Sequence, residues 1–153
     1  MPTMIAANGY ISSISRCSCQ SYSPTPNNME FPVDYRAYHD YCYQKVYGSD
    51  SKKKNVSKAL PFCMEAAEKG YTSSQVILGE IYLLGDSVPQ NISKAYSWFI
   101  KAAENGHSHA QYMIYILWKD FNLTKISEKQ ALYWLNKSAD SGLAAAIKAN
   151  SEL

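Results

Sequence analysis

No charge of either sign dominates this chain. Across 153 residues, 15 Lys and Arg stand against 13 Asp and Glu, a formal net charge of +2. A balance of that kind excludes a general polyanion binder, which needs a clustered excess of cations, so no nucleic-acid partner is expected. No apolar run approaches the length of a bilayer span, so no membrane span is expected either. The opening "MPTMIAANGYISSISRC" lacks a basic n-region and a strong apolar h-region. Without a secretory leader the expected compartment is the cytoplasm, with the periplasm as the alternative.

Catalytic signatures are missing as well. There is no G-x-S-x-G, no H-E-x-x-H and no phosphate-binding loop. "SDSK", Ser49 to Lys52, matches S-x-x-K, but it lies in a lysine run and its S-D-N and K-T-G companions are absent. His107 and His109 have no Cys, Asp or Glu at ligand spacing, and His39 is remote, so no metal site is expected. These absences lead to an expectation of no catalytic residue, no metal and no cofactor. Four cysteines do not decide the redox compartment, because even counts also occur in reduced proteins.

What is present is ordinary in amount and unusual in order. Hydrophobic residues make up 46% and charged residues 18%, enough to build a core. Thirteen tyrosines suit both repeat cores and contact surfaces. The stretch "ALPFCMEAAEKGY" begins at Ala59, "AYSWFIKAAENGH" at Ala95 and "ALYWLNKSADSGL" at Ala131. The alanines and the glycines that follow (Gly70, Gly106, Gly142) both recur every 36 residues. Self-similarity at a fixed period marks stacked supersecondary units, none of which can bury its apolar face alone.

The periodicity predicts seven helices, near 34–47, 57–69, 73–84, 92–105, 109–120, 127–140 and 143–151. Ala95, Trp98 and Ala102 are predicted to share a buried stripe, with Trp98 and Trp134 as recurring core residues. Each of the three glycines is placed as a left-handed helix stop. Ser57 and Ser93 are predicted N-caps, and "SEKQ" from Ser127 to Gln130 reads as a capping box. Pro61 removes one backbone donor and is tolerable only in a first turn. Of four N-x-S/T sequons, Asn55 and Asn91 are again 36 apart, so they read as a repeat slot near a helix cap. The serine-rich residues 1–33 show no sustained period and are expected to form a flexible arm before a domain covering 34–153.

The middle unit, "LGEIYLLGDSVPQNISKAYSWFIKAAENGHSHAQ", resembles the Sel-one-like repeat (SLR), a relative of the tetratricopeptide repeat. The resemblance rests on Leu78-Gly79, Tyr82, Gly85, Val88, Lys94-Ala95, Trp98, Ala102-Ala103, Gly106-His107 and Ala110. It implies an all-α, right-handed solenoid of three antiparallel helix pairs, at about 37–72, 73–108 and 109–144, with a capping helix at 143–151. Tyr43 and Tyr115 replace the family's glycine at the slot of Gly79, which implies a wider helix spacing there. The resemblance further implies a non-enzymatic protein-interaction module, an adaptor or an immunity protein for a secreted bacterial toxin or effector. The alternative it leaves open is a cysteine-rich SLR hydrolase or penicillin-binding enzyme.

In such solenoids the first helix of each pair lines the concave face. Carried through the 36-residue offset, that face holds Asp40, Gln44 and Tyr47, then Ser73, Val76, Glu80 and Leu83, then His109, Tyr112, Ile116 and Lys119. All but Ser73 are taken as partner-binding residues, because their mixed chemistry suits a protein. Cys42 and Cys63 fall at nearly the same height on the two helices of the first pair. A disulfide and a reduced pair of small buried hydrophobes both fit, the reduced pair being preferred in the absence of a leader.

Overall fold

A computed structural model describes residues 34–48, 55–85 and 87–153. The chain divides between Asp34 and Tyr35. The arm expected at 1–33 and the Ser49–Lys52 match lie outside the described residues. Among the described residues there are seven α-helices and no strand. They are α1 Tyr35–Tyr47, α2 Val56–Glu68, α3 Thr72–Leu84, α4 Ile92–Glu104, α5 Ser108–Phe121, α6 Glu128–Asp140 and α7 Ala144–Ser151. Each packs on its successor, and α1 also touches α3, which makes an all-α solenoid. The 36-residue interval is kept to the residue: α2, α4 and α6 start at 56, 92 and 128 and end at 68, 104 and 140.

Local chemistry sets those bounds. Gly70, Gly106 and Gly142 have φ of 93°, 85° and 87°, a region that costs glycine nothing. Around the first of them, Tyr71 N–H donates to the Ala66 carbonyl and Gly70 N–H to that of Ala67, each at 3.1 Å. The same crossed pair recurs at the other two glycines, so three Schellman motifs satisfy three helix ends. At the starts, Asn55 and Asn91 side chains accept from Lys58 N–H and Lys94 N–H, both at 2.9 Å. Ser57 and Ser93 are therefore not the caps; each lies at the second position of its helix, where the asparagine two residues earlier has taken the role. Ser127 and Gln130 do close the capping box. Pro61 falls inside α2, in its second turn, not its first. It forfeits one backbone bond there, and Phe62 and Cys63 beside it anchor the helix to α1.

The core corrects the predicted stripe. Ala95, Phe99, Ala102 and Ala103 are fully buried on α4, whereas Trp98 is only half-buried. Trp98 packs against the cluster that joins the first pair to α3, which includes Cys42, Ala59, Cys63 and Leu78. Lys101 Nζ lies 4.2 Å from its ring centroid on the other side. Trp134 repeats this under Lys137 at 5.2 Å. The indoles thus seal the seams of the stack, and the slot one residue later (Cys63, Phe99, Leu135) fills its centre.

Gly79 makes room for Phe99: a Cβ there would stand 2.6 Å from Phe99 Cε1. In the third unit the bulk is exchanged, with Tyr115 buried at the glycine slot and the smaller Leu135 at the phenylalanine slot. In the first unit Tyr43 turns outward and is 54% exposed, so it wedges nothing apart.

The first pair is held differently. Only Tyr38 and Cys42 of α1 are buried. Phe62 of α2 makes edge contacts with Tyr38 and Tyr41, at centroid distances of 5.3 and 4.8 Å. Cys42 and Cys63 are joined in a disulfide with Cα atoms 5.1 Å apart, so the preferred reduced pair is overturned. Matching height on antiparallel helices is what brings the two sulfurs together.

Candidate functional site: the cleft between the first helices

Two adjoining cavities open along α1 and α3, of about 580 and 370 Å³, and they share Tyr47 and Glu80. Val46 and Leu84 line the larger, and Leu84 is 75% exposed. Tyr43 and Tyr47 wall the smaller, their ring centroids 5.1 Å apart. Its floor is Val76 and Ile77, and Ser73 and His107 stand at its edge. Spacings of three and four residues on α3 bring Ser73, Val76, Ile77 and Glu80 to one side of that helix.

Among the described residues, Glu80 is the one carboxylate lining either cavity, and no Lys or Arg lines them. Its Oε1 lies 3.1 Å from His109 Nε2, a bond that ties α3 to α5. A second polar tie, His39 Nδ1 to Ser74 Oγ at 2.8 Å, links α1 to α3. His107 has a pKa below the ordinary histidine value, first because burial penalises its cation and then because His109 is close, with Glu80 opposing. Neutral, its Nδ1 accepts from Ala110 N–H at 3.4 Å and caps α5.

Such a depressed histidine has a definite signature. The folded state binds this proton less well than the unfolded chain does. Its stabilising contribution is complete above about pH 6.5, the unperturbed value, and is lost as pH falls through the lower folded value. Thermal unfolding at pH 7.5 and 5.5 should therefore show a larger loss for the wild type than for His107→Asn, in which a non-titrating cap remains. Equal losses would mean that His107 does not titrate differently on folding.

The residues placed on this face by sequence are dispersed. Tyr47, Ser73, Val76 and Glu80 meet in the cleft, and His109 reaches it through Glu80. Val76 and Leu83 are buried, at 6% and 7% exposure, as members of the main core, so neither offers a free surface. Asp40 and Gln44 are exposed on α1 but line neither cavity. Tyr112 and Ile116 are half-buried against the core, and Lys119 lies 5.7 Å over the Tyr115 ring. Sequence reasoning missed Tyr43, Ile77 and His107. The glycine slot that Tyr43 occupies points to the packing side, yet its i,i+4 spacing from Tyr47 is the signal for the cleft.

Comparison with known proteins fits this geometry. The Sel1 repeat family matches residues 72–107 and 115–143. A Sel1 repeat protein from Oxalobacter formigenes superposes with a TM-score of 0.68 at 27% identity, over 78% of this chain and 90% of that one. The c5321 protective antigen of uropathogenic Escherichia coli, which displays an SLR fold, gives 0.66 at 27% identity, over 74% of this chain and 24% of that one. No curated protein matches the chain. Two family matches between residues 72 and 143, on a helical solenoid shared with solved Sel1 repeat structures, mean that this part of the chain is built from Sel1-like repeats, which generally mediate protein–protein interaction.

Proposed function

We propose that this protein is a non-enzymatic adaptor that holds a protein partner against the face formed by α1, α3 and α5. An immunity protein bound to a secreted bacterial effector is the form of adaptor that this reading favours. The observation that carries it is the α1–α3 cleft, where the exposed side chains of Tyr43, Tyr47 and Leu84 stand around the part-buried carboxylate of Glu80. Exposed tyrosine around a partly desolvated charge is the composition of a binding hot spot. The hydrolase alternative draws no support from Cys42 and Cys63, whose sulfurs are bonded to each other.

The test is quantitative affinity capture from the source cells with full-length wild type and with Glu80→Lys combined with Tyr112→Ala. Capture of one or a few proteins by the wild type, lost in the variant at unchanged helical circular dichroism, is the expected result. An identical captured set would move the binding surface away from the first helices.

A further inference from the structure

We propose that the smaller cavity between α1 and α3 is a receptor for a single lysine or arginine side chain carried by an otherwise apolar segment of the protein partner. This rests on the protein-binding reading above and names the chemistry that the cleft selects.

Three observations carry it. First, Tyr43 and Tyr47 present a tilted pair of rings, 54% and 40% exposed, at the cavity wall. The faces of such rings attract a cation, more strongly where water is excluded. Second, the chain already uses that attraction elsewhere. Lys45, Lys69, Lys94, Lys101, Lys119 and Lys137 each lie over an aromatic ring. The other tyrosine exposed to this extent, Tyr133, is covered by Lys137, whereas Tyr43 and Tyr47 have no lysine over them among the described residues.

Third, the charge beside those rings has the complementary sign. Glu80 borders the cavity with its side chain 23% exposed, and among the described residues only one of its oxygens is engaged, by His109. The other oxygen can accept a charge-assisted hydrogen bond from an incoming ammonium or guanidinium. His107 at the rim is neutral near pH 7, so it does not repel that cation. Val76 and Ile77, at 6% and 2% exposure, only close the base of the cavity, so the methylene stem of a long basic side chain would lie chiefly against the exposed rings of Tyr43 and Tyr47. An apolar residue flanking the base has the neighbouring cavity, with Val46 and Leu84, to enter.

The test selects a random heptapeptide pool on immobilised full-length protein at pH 7.4. The recovered sequences should be enriched in Arg or Lys beside aliphatic or aromatic residues. For the best peptide, replacing the base by citrulline, which keeps the shape and removes the charge, should weaken binding by about tenfold, the size of one good charge-assisted contact. Glu80→Gln should do the same, and Lys148→Ala, at a distant exposed site, should change nothing. Since Glu80 also bonds His109, Tyr43→Leu with Tyr47→Leu serves as a second variant, which removes only exposed rings and should weaken the arginine peptide more than the citrulline one.

Peptides without basic enrichment, or with binding indifferent to both variants, would overturn the proposal and leave the protein-binding reading standing. Failure to recover any peptide would count against both. Arginine amide binding as tightly as the peptide would also overturn it, since the cavity would then recognise a free small cation and not a partner's side chain.

Discussion

Phe99→Ala should destabilise the protein by about 3–5 kcal/mol, the range for emptying a large aromatic core site. On a domain of this size that lowers the melting temperature on the order of 10–20 °C. Phe99 is fully buried and closes over Gly79, which has no side chain to fill the space it leaves. Trp98→Ala should cost clearly less, because the indole is half-buried at a seam and one side already faces Lys101. Melting curves of the two variants followed at 222 nm decide the matter, and a larger drop for Trp98→Ala would mean that α4 is rotated from the register described. A coupling follows from the third unit. Gly79→Ala alone should be poorly tolerated, yet with Phe99→Leu the pair should lose less than the sum of the single changes, as Tyr115 with Leu135 already exchanges bulk in this way.

The second large effect belongs to the disulfide. Cys42 and Cys63 are 21 residues apart, and closing a loop of that size stabilises by roughly 3 kcal/mol on the chain-entropy view. The loss on Cys42→Ser with Cys63→Ser should be concentrated in α1, which buries only Tyr38 and Cys42 and is otherwise held by the Phe62 ring contacts and the His39–Ser74 hydrogen bond. Hydrogen exchange on the variant should thus show α1 amides losing protection while α4 to α6 keep theirs. Because Tyr43 and Tyr47 ride on α1, the cleft should lose its aromatic wall at the same time. Thiol titration of the denatured, non-reduced chain, with peptide mapping, should find Cys42 joined to Cys63; four free thiols would refute the bond.

The same logic explains why some features were readable in the sequence. Helix order, the 36-residue interval, the three glycine stops and the Ser127–Gln130 box depend on contacts within a few residues. Each repeats or carries its own chemical marker, and each is found as read. The slot of Asn55 and Asn91 is likewise visible as a recurrence, although sequence alone points to Ser57 and Ser93 for the cap itself. A side chain two residues nearer the chain start had the better geometry for N3.

What the sequence could not determine is which way each helix faces. Residues 98 and 99 differ by one step, about 100° around α4. Spacing allows a stripe through Ala95, Trp98 and Ala102 as readily as one through Ala95, Phe99, Ala102 and Ala103. Only the neighbouring helices choose, and the close fit of Phe99 over Gly79 chose the second. Packing between neighbours likewise puts Val76 and Leu83 of α3 in the core and leaves Tyr43 of α1 outside it beside Tyr47. The local pattern in the chain therefore determined the repeat, and packing between units determined the site, because burial is a property of the neighbours a residue meets and not of its own position in the sequence.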